Sequence, residues 1–153
     1  MSADNTASKL LPGLNYKYDE VVKKDYGIVF ALPEQHILIC ELFNEYTPIE
    51  EFKEIFRATV PIIEKLQTTK FIFDKQNLRV FHQPSMEWYF IEWKKEIYAK
   101  GLSAHRKILP QSEPAFALAV EAGRAKILKE FPDTIIDKLD IQYSTNIADA
   151  IAK

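Results

Sequence analysis

Apolar residues fall into two kinds of run along this chain, and the change from one to the other predicts its elements. Gly27-Ile-Val-Phe-Ala-Leu32 and Ile37-Leu-Ile-Cys-Glu-Leu-Phe43 are short and rich in β-branched and aromatic residues, as strands are. Pro33-Glu34-Gln35-His36 between them supplies the chemistry of a hairpin turn. Tyr16 to Val22 reads as an edge strand or a lead-in. From Ile49 the spacing changes: Ile49, Phe52, Phe56, Val60, Ile63 and Leu66 recur at helical intervals. Ahead of them, Thr47-Pro48-Ile49-Glu50 predicts a capping box, in which the Thr47 hydroxyl and the Glu50 carboxylate satisfy orphan N–H groups. Pro61, inside the stripe, predicts a kink or a break into two helices.

Lys70 to Asp74 is apolar on both faces and reads as a central strand. A helix follows from about Pro84 to Lys100, with Gly101 as its stop signal. Met86, Tyr89, Phe90, Trp93 and Ile97 form its inner stripe, and Trp88, Lys94 and Lys95 lie off it. Arg106 to Leu109 reads as a strand ended by Pro110. Ser112 then caps a third helix reaching about Phe131, with Phe116, Ala119, Val120, Gly123 and Ile127 inward and Pro132-Asp133 as its stop. Asp140 to Tyr143 reads as a last strand and Asn146 to Ile151 as a terminal helix. Strands alternating with amphipathic helices imply an α/β fold, a single-domain mixed and mostly parallel β-sheet with helices packed against it. Residues 1–15 are polar and turn-prone, the expectation being a flexible N-terminal arm before one domain over 16–153.

Charge alters this picture little. Twenty basic and 22 acidic side chains leave a formal charge of −2, which gives no ground for nucleic acid as a partner. No apolar run approaches a membrane span, and the polar first residues lack the apolar segment of a signal peptide. Cys40 is the single cysteine, so no intrachain disulfide forms, and its place in a strand reads as a buried, inert thiol. The expectation is a cytoplasmic protein without cofactor. His36, His82 and His105 show no metal-ligand spacing.

Phe73-Asp74-x-x-Asn77-Leu78, Glu87-Trp88 with Trp93, and Ala99-x-Gly101-Leu102 carry a family resemblance. From Gly27 to Ile151 the chain resembles the bacterial SpoIIAA-like family, whose fold is shared with STAS domains (anti-sigma-factor antagonists) and related to the Sec14-type lipid-binding fold. The resemblance implies a non-enzymatic regulatory or protein-interaction domain, or alternatively a carrier holding an apolar small molecule or lipid between sheet and second helix. In the phosphorylated antagonists a serine opening the helix after the central strand accepts phosphate. Ser85 is the only hydroxyl residue in the matching segment, Arg79 to Glu87, and the expected Asp-Ser-Ser-Gly type of sequence is absent.

The candidate binding residues are therefore Asp74, Asn77, Arg79, Ser85 and Trp88, with Ser85 as the candidate phosphoacceptor. Each also has a structural reading. Asp74 can cap turn N–H groups, Ser85 can begin a helix, and Trp88 marks a partner surface only if exposed. A His82/Asp74 pair beside Ser85 has hydrolase-like composition but no nucleophile elbow. Lys94, Lys95, Lys100, Arg106 and Lys107 read as a solvated cationic face, or as one that attracts an acidic partner or lipid headgroups with a strength that falls with salt. The expected partner is another protein or a second copy, pairing as a homodimer across an exposed edge strand at Gly27 to Leu32.

Overall fold

Strands β1 (Asp19–Lys24), β2 (Gly27–Leu32), β3 (Ile37–Leu42), β4 (Lys70–Asp74), β5 (Ala104–Ile108) and β6 (Asp140–Tyr143) lie side by side in chain order. The computed structural model describes residues 4–110, 113–132 and 135–153. β1, β2 and β3 meander antiparallel, and β3 through β6 run parallel. Between them come α1 (Ala7–Leu10), α2 (Ile49–Leu66), α3 (Gln83–Trp88), α4 (Lys94–Ala99), α5 (Pro114–Glu130) and α6 (Ile147–Ala152). A π-helical turn, Tyr89–Trp93, fuses α3 to α4.

Every parallel connection advances one strand in the same direction, and such crossovers are right-handed. They therefore place α2, the α3–α4 rod and α5 on one face of the sheet. Phe52, Phe56, Phe71, Phe73, Tyr89, Trp93, Val120 and Ile127 share the core there. On the other face α1, a 3-10 turn (Leu11–Gly13) and α6 cover Ile28, Phe30, Ile39, Ile72 and Ile108. Period-two alternation divides β5 between the faces: His105 and Lys107 register with Phe71 and Phe73, and Arg106 registers with Ile72. The strand order never reverses, so this sheet has no switch point of the kind that opens a ligand crevice in doubly wound folds.

Several expectations need correction. The early strand runs from Asp19 to Lys24 and forms the sheet's edge. β2 is therefore hydrogen-bonded on both sides, and Gly27 to Leu32 offers no edge for pairing across a two-fold axis. The capping box does not form. Pro48, extended at φ −56° and ψ 149°, takes the cap position of α2, and the Thr47 hydroxyl turns inward without a partner. Pro61 does not break the helix in two; α2 continues from Ile49 to Leu66, its buried side held by Phe52, Ile55, Phe56, Thr59 and Ile63. Gly101 does end the α3–α4 rod, at a φ of +99° that suits glycine. Ser112 and Asp133 lie outside the described residues.

The π turn changes the rod's inner face. Its wider i→i+5 spacing lets Tyr89, Phe90, Trp93 and Lys94 all face the sheet, with Trp88 buried ahead of them. Trp88 and Lys94 are thus inside, not off the stripe. Trp88 packs edge-on to Phe52, with Lys53 and Arg57 over its ring at 5.9 and 5.5 Å.

Candidate functional site

Of the sequence-derived candidates, Asp74 ends β4 facing α1, and its register neighbour Glu41 faces the same way. The Asp74 carboxylate accepts from the Ala7 N–H at 2.9 Å and from the Gln76 N–H and side-chain amide at 3.1 Å each. Glu41 accepts from the Ser8 N–H at 2.7 Å and the Ser8 hydroxyl at 3.1 Å. The two carboxylates thus take the first N–H groups of α1, which a helix leaves orphaned. Burial pushes the Asp74 carboxyl up to about 6, opposed by its bonds from Ala7 and Gln76 and reinforced by Glu41.

The other candidates serve the loop itself. Asn77 donates its amide to the Leu42 carbonyl at 3.2 Å. Arg79 donates to the carbonyls of Gln76 and Leu78 and pairs with Glu113 at 3.2 Å, tying the loop to the start of α5. Ser85 is buried, 2.7 Å from the His82 ring nitrogen Nδ1. A kinase reaches that hydroxyl only if the start of α3 opens. The structure does not bring Asp74 and His82 together. Asp74 engages α1 on one face, whereas His82 meets Ser85 and the edge of Tyr46 on the other, so a Ser-His-Asp arrangement is not assembled.

Between sheet, α2, α3 and α5 lies a cavity of about 30 Å³ lined by residues that include Phe52, Phe73, Lys75, Ser85, Met86 and Val120. It holds roughly one water, an order of magnitude below the ~300 Å³ at which small-molecule sites begin. Cys40 faces this core, and burial pushes its thiol up.

Sequence reasoning missed the most unusual chemistry nearby. Lys75, Lys94 and Lys107 are almost wholly buried, and none of their amines has a hydrogen-bond partner. They come from the loop after β4, from α4 and from β5, and all three lie within 6.0 Å of the Tyr89 ring centroid. Burial lowers Lys75 to about 7, with Arg124 adding to the effect, and holds Lys94 and Lys107 well below the ordinary lysine range. Of the expected cationic face, only Lys95 is exposed, with Lys100 half-buried. Arg106 is buried on the α6 side, donating to the carbonyls of His105, Asp140 and Lys153 and to the Asp140 carboxylate. Period two held the signal for Lys107, which must share a face with His105, whereas a regular helical stripe held none for Lys94.

α5 carries a second feature. Its inner face buries Phe116, Val120, Gly123 and Ile127. Its outer face is apolar as well: Ala115, Leu118, Ala122, Ala125 and Leu128 are exposed, with Leu118 at 67% and Leu128 at 41%. A helix apolar on both sides is usually covered on both. No protein-family model matches the chain, and no curated protein or solved structure matches it either.

Proposed function

We propose that the chain is a non-enzymatic, STAS-like interaction domain of regulatory type, which pairs with a second copy of itself through the outer face of α5. The exposed stripe Leu118, Ala122, Ala125 and Leu128 carries this reading. Small residues at its middle allow two helices close approach. Leu118 and Leu128 stand symmetrically about Gly123, so a two-fold antiparallel pair sets each leucine against the other kind. Glu121 and Lys126, near-symmetric about the same point, then meet across the axis with opposite charge. Self-complementarity of this kind is what an isologous interface requires.

Sedimentation equilibrium of the full chain tests the pairing. Wild type is expected to dimerise at micromolar concentration, and L118E with L128E to be monomeric with unchanged circular dichroism. Both side chains are already exposed, so the substitutions spare the core. A wild-type chain that stays monomeric at several hundred micromolar overturns the reading.

A further inference from the structure

We propose that Lys75, Lys94 and Lys107, with the Tyr89 hydroxyl, form a binding site for a small tetrahedral oxyanion of the phosphate class beneath α5. The site is independent of the pairing through the opposite face of that helix. The amines of Lys75, Lys94 and Lys107 and the Tyr89 hydroxyl are buried without a partner. An ammonium group has three donors and no acceptor, so protonated lysines cannot satisfy one another. Each lies over aromatic faces: Lys94 is 4.4 Å from the centroid of Tyr89, Lys107 4.2 Å from that of Phe90, and Lys75 4.9 Å from that of Phe73. Ring faces attract cations but offset only part of the loss of water.

Charge points the same way. The groups that act on these lysines are one another and Arg124 of α5, and among the described residues no carboxylate counters them. His105, on the same face of β5, is itself held well below its ordinary range, by burial first and by Lys94, Lys107 and Arg106 after it. Such a nest calls for a guest with several negative acceptors. A tetrahedral oxyanion brings four oxygens to three amines, which take up protons as it binds, and to one phenol, arriving from the loop after β4, the α3–α4 rod and β5. A carboxylate brings two oxygens, and a halide has none of the directionality. The cavity beside Lys75, also lined by Phe116 and Val120 of α5, is about 30 Å³, room for roughly one water, so binding an ion of phosphate size requires the packing around the lysines to open.

The test is isothermal titration calorimetry of the full chain at constant ionic strength, with orthophosphate, glycerol phosphate, chloride and acetate as separate titrants. Orthophosphate or the phosphomonoester is expected to bind saturably at one per chain, the tighter of the two identifying whether the source is free or esterified. Lys107→Met and Lys94→Met are expected to weaken that binding at least tenfold, and Lys95→Met, at an exposed position, to leave it unchanged. In phosphate-free buffer the two buried-site variants should melt no lower than wild type, because each removes a buried amine without a partner. That separates loss of the site from loss of the fold. No binding to wild type, equal binding in the buried-site variants, or a preference for chloride or acetate overturns the proposal.

Discussion

Two buried titratable residues at the end of β4 give the stability of this protein an unusual dependence on pH. Asp74 has its carboxyl pushed up to about 6 by burial, so the folded state holds a proton that the unfolded state has released. Its contribution is fully present below the ordinary carboxylate range and is lost as pH rises through about 6, on the order of 3 kcal/mol. Lys75 works with the opposite slope. Its amine is lowered to about 7, so between there and the ordinary lysine range the unfolded state binds the extra proton and stability rises with pH. Lys94 and Lys107, facing it, are lowered too and extend the gain. Below about pH 6 the fall set by Asp74 is opposed by Lys94, Lys107 and His105, all lowered by burial. Urea titrations in phosphate-free buffer therefore read it as a difference between wild type and a variant, whereas stability itself should rise above about pH 7. The stability advantage of wild type over Asp74→Asn should shrink as pH rises toward about 6 and change little above it, and Lys75→Met should reduce the alkaline rise. A difference between wild type and Asp74→Asn that stays constant with pH, or an alkaline rise unchanged in Lys75→Met, would contradict the corresponding assignment.

At the scale of elements, the close approach of β2 to α2 depends on one residue without a side chain. A Cβ on Gly27 would stand 2.9 Å from the backbone carbonyl oxygen of Glu41 and 3.0 Å from Ile55 of α2. Backbone cannot step aside as a side-chain tip can, so Gly27→Ala should lower stability by about 1–3 kcal/mol in a denaturant titration. A neutral result would mean that the strand and α2 are not held this close. The strands themselves were legible. β2, β3 and β4 fall where apolar runs rich in β-branched and aromatic residues lie between turn residues, because period and turn chemistry are local. What local pattern could not show was the inner face of the α3–α4 rod. A π turn depends on tertiary packing, and it turns Lys94 inward where a regular stripe leaves it outside. Thr47 failed as a cap for a similar reason: the same residues allow two local geometries, and packing chose the one with Pro48 at the cap. The candidate residues lie between the end of β4 and the end of α3, but sequence does not say which face each side chain there takes. Asp74 went to α1 and Ser85 to the core of the opposite face.

The whole molecule is divided by its sheet into two cores, and the smaller one depends on the ends of the chain. Three long helical elements cover one face, whereas the other has only α1, the turn at Leu11–Gly13 and α6. The residues read as an arm therefore close a core, with Ala7 and Leu11 fully buried and Leu10, Leu14 and Tyr16 packed around them. Deleting residues 1–14 removes that cover and also the N–H groups that Asp74 and Glu41 accept from. Full burial of one leucine is worth about 1.5–3 kcal/mol, and the part-buried neighbours and lost hydrogen bonds bring the expected cost to roughly 3 kcal/mol. For a chain of this size that lowers the melting temperature by roughly 6–12 °C. A second consequence separates docking from general weakening. Once water reaches Asp74, the burial that raises its carboxyl is gone, so the truncated chain should lose the acid-side fall that Asp74 contributes while keeping the alkaline rise set by Lys75 on the opposite face. Calorimetry across pH reads both at once. An unchanged melting temperature would show that the first 14 residues contribute nothing to the fold. A lowered one with the acid slope intact would place the proton on a group other than Asp74.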